Sequence, residues 1–126
     1  MRKVLLALLV IAAAAPGAAR DRQVLPTATP VGKPESCIPL RNIRQSHVRN
    51  DHVIDFEMNG GKVYRSTLPN GCPGLGFEER FSYQTSLSQL CSADIITVLR
   101  SPGVMRGPSC GLGPFQPVTL AKRPRR

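Results

Sequence analysis

Four cysteines, Cys37, Cys72, Cys91 and Cys110, all lie downstream of a leader-like N-terminus. That leader decides what they mean. Arg2 and Lys3 give a positive start, and Val4 to Ala15 run unbroken and apolar. Pro16-Gly17-Ala18-Ala19 then offers small residues for cleavage, with Gly17 and Ala19 where a signal peptidase reads. The apolar run is too short to span a bilayer, and no stop-transfer pattern follows. Residues 1–19 therefore predict a signal peptide, an exported protein (periplasmic or secreted) and no transmembrane segment in the mature chain. In an oxidising compartment, four cysteines in a small domain predict two disulfides.

Removing residues 1–19 leaves 107 residues, one domain at most. A domain of this size buries a modest share of its surface and gains much from cross-links. The chain has no Trp, so its core must be largely aliphatic. Its formal charge of +9 suggests nucleic acid at first sight, but the distribution argues otherwise. Residues 37–121 carry eight basic and six acidic side chains, whereas residues 122–126 alone contribute +4. A short like-charge run of this kind is a solvated tail or a weak contact with an anionic surface. Near anionic lipid each Lys or Arg is worth about 1 kcal/mol. Lys122, Arg123, Arg125 and Arg126 are thus candidates for salt-sensitive contact with membrane or polysaccharide. Aromatic residues are not interleaved with basic ones, so no specific nucleic-acid module is expected.

Residues 20–36 hold Pro26, Pro30 and Pro34 and show no apolar period. They read as an extended, largely disordered spacer. The domain is expected over residues 37–118, with a basic flexible tail over 119–126. Its clearest local feature is a hairpin. Ile54, Phe56 and Met58 alternate with Asp55 and Glu57, Asn59-Gly60-Gly61 turns, and Lys62 to Leu68 returns. A two-residue loop would set Ile54 against Arg65. A three-residue loop pairs Phe56 with Tyr64 and Asp55 with Arg65, and puts Gly61 at the left-handed position. The three-residue loop is favoured, with Asp55–Arg65 as an exposed cross-strand pair worth about 0.2–1 kcal/mol.

Further along, Leu75 to Arg80 predicts one helical turn, and Phe81 to Thr85 a strand. Asp94 to Arg100 is β-branched and apolar and reads as a well-buried strand. Ser101 to Ser109, with two Gly and two Pro, reads as a loop. Cys110 to Val118 reads as an irregular edge strand because of Pro114 and Pro117. A strand is also expected over Ile43 to Val48. Short strands separated by Gly- and Pro-rich turns predict a mostly β single domain, a partly open barrel or a sandwich, held by two disulfides.

Three disulfide connectivities are possible. Cys72 with Cys91 and Cys37 with Cys110 is favoured, which would clamp the two ends of the domain. The intervals of 35, 19 and 19 residues lack the C-x₂₋₄-C pairs of a zinc site and the C-x-x-C of a thiol oxidoreductase. His47, Asp51, His52 and Asp55 form the densest polar cluster. Two imidazoles and a carboxylate can hold a metal, so a metal-dependent hydrolase using His47, Asp51 and His52 is one alternative. Against it, His52 and Asp55 would point to opposite faces of a strand. No nucleophile elbow or phosphate loop is present, and neither catalytic residues nor a cofactor are expected.

Cys37-Ile38, Val63-Tyr64, Cys72-Pro73-Gly74-Leu75, Leu90-Cys91 with Asp94, and Cys110-x-Leu112-Gly113 with Phe115 form a pattern. It resembles a family of small exported bacterial proteins of unknown function. The resemblance implies an envelope or secreted location and one cysteine-stabilised domain, and it brings no activity. The leading expectation is a non-enzymatic binding or cell-envelope module, with an envelope protein or an anionic surface as partner. A protease or glycosidase inhibitor using Ser101 to Ser109 is a further option that no residue selects.

Overall fold

A computed structural model describes residues 25–85 and 87–122. The expected signal peptide, the first residues of the expected spacer (20–24), and Arg123, Arg125 and Arg126 lie outside the described residues.

Ten strands and one helical turn follow the Gly and Pro punctuation of the sequence. They are β1 (Ala28–Pro30), β2 (Cys37–Pro39), β3 (Ile43–Val48), β4 (Val53–Met58), β5 (Val63–Thr67), α1 (Leu75–Glu78), β6 (Phe81–Tyr83), β7 (Gln89–Cys91), β8 (Ile95–Arg100), β9 (Met105–Gly111) and β10 (Phe115–Leu120). A 3-10 turn over Leu40–Asn42 links β2 to β3. The strands form a five-stranded sheet, β1-β10-β5-β4-β3, a three-stranded sheet, β6-β8-β9, and the pair β2-β7. All pairings are antiparallel, and the sheets do not close into a barrel.

The hairpin register follows from its turn. Phe56 lies opposite Tyr64 and Asp55 opposite Arg65, as the three-residue loop requires. Gly60 and Gly61 both take φ near +90°, a conformation that side chains with a Cβ avoid. The inward face of β4 supplies the centre of the core. Phe56 meets Phe115 of β10 edge-on at 5.6 Å and Phe81 of β6 at 6.5 Å. Such contacts add about 0.5–1.5 kcal/mol beyond burial and join the two larger sheets. Ile38, Leu75, Leu90, Ile96 and Val98 fill the rest, so all three sheets and α1 share one core.

Several expectations need correction, each because tertiary pairing overrides a local signal. Residues 28–35 are not a loose spacer. β1 pairs with β10, Val31 N–H donates to Pro117 O at 2.9 Å, and Glu35 exchanges two backbone bonds with Phe115. Prolines suit this place, because an outermost strand needs few donors. β10 is correspondingly an inner strand, between β1 and β5. Pro117 O faces β1, and so does its nitrogen, since a residue's N and C=O point to the same side of a strand. The missing N–H therefore falls on the short β1 and costs β5 nothing.

The region read as a loop over 101–109 contains most of β9, an edge strand that tolerates Pro108. β8 is buried on one face only: Ile96 and Val98 point inward, while Ile95 is 58% exposed. Asp55 is also misjudged by alternation. It points away from the core, as expected, yet it is fully buried. Arg65 Nη2 donates to Pro26 O at 3.0 Å, so the segment before β1 crosses this outer face.

The cysteines pair as Cys37–Cys91 and Cys72–Cys110, not as the favoured alternative. Cys37 and Cys91 sit opposite each other in β2 and β7, with Cα atoms 4.0 Å apart. The ladder bonds lie on neighbouring residues, including Ser92 N–H to Ser36 O, so this is the close, non-hydrogen-bonded type of pair. Cys72 is fixed by its N–H donating to Asp51 O at 2.7 Å, which brings it under Cys110 of β9. One bond thus braces the two-stranded sheet, and the other ties the exit of β5 to the three-stranded sheet.

Gly113 shows how tightly that second junction packs. Ser66 Oγ donates to Gly113 O at 2.9 Å and accepts from Gly113 N–H at 3.1 Å. A Cβ at Gly113 would overlap the Thr67 carbonyl oxygen, a backbone atom that cannot swing aside. Gly113→Ala is expected to cost about 1–3 kcal/mol by forced overlap. A urea midpoint unchanged from the parent's would refute this.

Candidate functional site

The outer face of the three-stranded sheet carries the groove best furnished for a ligand, an open cleft of about 350 Å³. Register builds it. Ser82, Thr97 and Ser109 form one row across β6, β8 and β9, and Thr97 Oγ1 lies 2.9 Å from Ser109 Oγ. One row along, Ile95 faces Gly111, where an added Cβ would meet nothing. The absent side chain leaves the floor open beside the exposed Ile95. At the other end Arg106 stands opposite Leu99, after a register shift between Thr97 and Leu99.

Polar groups at both ends are available. Among the described residues Arg106 makes no hydrogen bond or ion pair, and neither do the side chains of Ser82 and Gln84. Asp94 is held by its own turn. Its N–H donates to Cys91 O at 2.9 Å, and its Oδ2 accepts the Cys91 N–H at 2.7 Å. That leaves Oδ1 for a ligand. The disulfide partner of Cys91 and the carboxylate cap therefore fix one end of the groove together. A second cleft of similar volume opens between the β3 and β6 edges, where the larger sheets fail to close. Its wall mixes Phe81 and Leu99 with Glu79 and Arg80.

The residues singled out from sequence sit elsewhere. His47 Nε2 lies 3.1 Å from Glu57 Oε2 on the outer face of β3 and β4. Asp51 Oδ1 accepts the N–H of Gly76 in α1 at 2.8 Å. The His52 ring covers Gly71, whose φ of +64° and closeness to that ring leave no room for a side chain. The three expected metal ligands thus serve three different local contacts. No group of three or more His, Cys, Asp or Glu side chains among the described residues is arranged to hold a metal. Lys122 is exposed just beyond β10, and the other tail cations are outside the described residues. Lys62, on the β4–β5 hairpin, holds its ammonium 4.7 Å from the Tyr64 ring centre. Its hydrogen bond to Tyr64 raises its pKa above the usual lysine value, so it stays charged.

Sequence reading missed Arg106, Thr97 and Ser82 as a set. Asp94 was visible only as part of the Leu-Cys-x-x-Asp segment, without a role. The signal that could have found the set is one hydroxyl residue in each of β6, β8 and β9, and it becomes readable only once the register is known. Comparison with family models, with curated proteins and with solved structures finds no match.

Proposed function

We propose that this chain is an exported, non-enzymatic binding module of the cell envelope whose ligand surface is the outer face of β6-β8-β9. The observation that carries the reading is the Arg106 guanidinium, unpaired among the described residues, on the same face as a row of three hydroxyls and the Oδ1 of Asp94. Unpaired polar groups converging on one concave face are what a polar ligand needs. Export is supported by the leader of residues 1–19 and by two disulfides, which persist in oxidising compartments. Among the described residues no helix is long and apolar enough to cross a membrane. The resemblance of the Cys-Pro-Gly-Leu segment to exported bacterial proteins points the same way.

The test uses the full chain expressed with its leader in a bacterial host. The exported protein should begin at Arg20 by intact mass and gain four hydrogens on reduction. Immobilised in its oxidised form, it should retain a defined component of a soluble envelope extract. Thr97→Arg, which fills the groove from its centre, should abolish that retention while leaving the circular dichroism spectrum unchanged. Equal retention by parent and variant would refute the groove as the ligand surface.

A further inference from the structure

We infer that the groove takes a short saccharide carrying a single carboxylate, with the acid held by Arg106 and neutral sugar hydroxyls held towards Asp94. This rests on the reading that the β6-β8-β9 face is the ligand surface, and it assigns the chemistry of the ligand.

Charge is the first argument. The groove has one free cation at one end and one carboxylate at the other, so its formal charge is balanced. A polyphosphate or nucleic acid needs a positive track, and Asp94 would repel it. One monoanionic group beside Arg106 is complementary, and a guanidinium binds a carboxylate through a planar two-bond fork.

The hydroxyl inventory is the second. The Ser82 hydroxyl can donate and accept, and Thr97, bonded to Ser109 behind it, keeps acceptor capacity, which suits the hydroxyls of a sugar. Asp94 Oδ1 only accepts, so it calls for a donor, and a ligand hydroxyl is one. Gln84 adds an unengaged amide with both capacities. Ile95, 58% exposed between these groups, offers an apolar patch to the C–H face of a ring.

Length is the third. Asp94, just before β8, and the Leu99 position opposite Arg106 are five residues apart, roughly 16 Å of backbone at strand rise. That backbone span is longer than one sugar ring. An acidic sugar joined to neutral ones spans it, with its single charge placed at the Arg106 end.

The test is calorimetric titration of the oxidised, processed protein with three probes. They are an acidic trisaccharide of one glucuronate and two xylose units, the neutral trisaccharide of xylose, and free glucuronate. The acidic trisaccharide should bind best. Arg106→Gln should weaken it about tenfold or more, the loss expected for a charge-assisted pair, and bring it level with the neutral sugar. Arg106→Lys should recover only part of the difference. Equal binding of acidic and neutral trisaccharides by the parent would overturn the inference. So would inorganic phosphate competing as strongly as the trisaccharide, or no sugar binding at millimolar concentration. If Thr97→Arg still abolishes retention of envelope material while no sugar binds, the saccharide assignment falls and the groove reading stands. If Thr97→Arg leaves retention intact, the groove reading itself falls.

Discussion

Cys72→Ala/Cys110→Ala is expected to lower the unfolding free energy by about 2–5 kcal/mol, more than Cys37→Ala/Cys91→Ala does. Chain entropy alone cannot rank the two. The bonds span 38 and 54 residues, and loop-closure terms for those lengths differ by only about 0.3 kcal/mol, in favour of the longer loop. Position reverses the order. Cys72 is 1% exposed and belongs to the shared core, so removing its sulfur leaves a void as well as a longer free chain. Cys37 and Cys91 are half-buried and are also joined by the ladder of β2 and β7. Without Cys72–Cys110 the edge strand β9 keeps only β8 as a partner, so Arg106 should lose its fixed place. Ligand affinity should therefore fall with stability in that variant and change little in the other. Guanidinium titrations of both double variants decide the matter. Equal losses, or a larger loss for Cys37–Cys91, would sink the account.

The sequence exposes the local features of this fold and hides the ones that depend on which strands become neighbours. Asn59-Gly60-Gly61 determines its own hairpin, because glycine conformations set the loop length and the loop length sets the register. β3 is found over the residues where a strand was expected, Ile43–Val48. The number of disulfides was legible from four cysteines behind a leader-like N-terminus; their partners were not. Cys37 meets Cys91 because β2 happens to lie beside β7, and nothing near either cysteine says so. Proline misled twice, at β9 and at β10. A missing N–H excludes a strand only when that N–H faces a partner, and orientation is a property of the finished sheet. Arg106 was lost in this way, inside a stretch rich in Gly and Pro. The groove itself is a row of residues far apart in the chain. It becomes a site only once Ser82, Thr97 and Ser109 share a register.

Arg65→Ala is expected to destabilise the protein by about 3–5 kcal/mol, out of proportion to a surface residue. Alternation along β4 suggested an exposed Asp55–Arg65 pair of small value. Burial changes the sign of the reasoning. The Asp55 carboxylate, fully buried, accepts Arg65 Nε at 2.8 Å on Oδ1, and Arg65 Nη2 at 3.0 Å and Arg49 Nε at 2.8 Å on Oδ2. Removing Arg65 leaves Oδ1 without a donor and the buried carboxylate with Arg49 alone, and breaking a buried ion-pair network is costly. It also frees the Pro26 carbonyl, the contact by which the segment before β1 seals this face. Arg65→Lys should rescue little, because one ammonium cannot reach both carboxylate oxygens and Pro26 in the geometry of a fork. The triple replacement Arg49→Met/Asp55→Leu/Arg65→Met should by contrast be near neutral, since it removes the buried charge together with its partners. Urea titration of the three variants separates these cases. Burial also makes the loss insensitive to added salt, unlike that of an exposed pair. Limited proteolysis gives an independent readout: Arg65→Ala should open residues 25–30 to cleavage well below the global midpoint. A triple variant as unstable as Arg65→Ala would show that shape, rather than the stranded carboxylate, sets the cost.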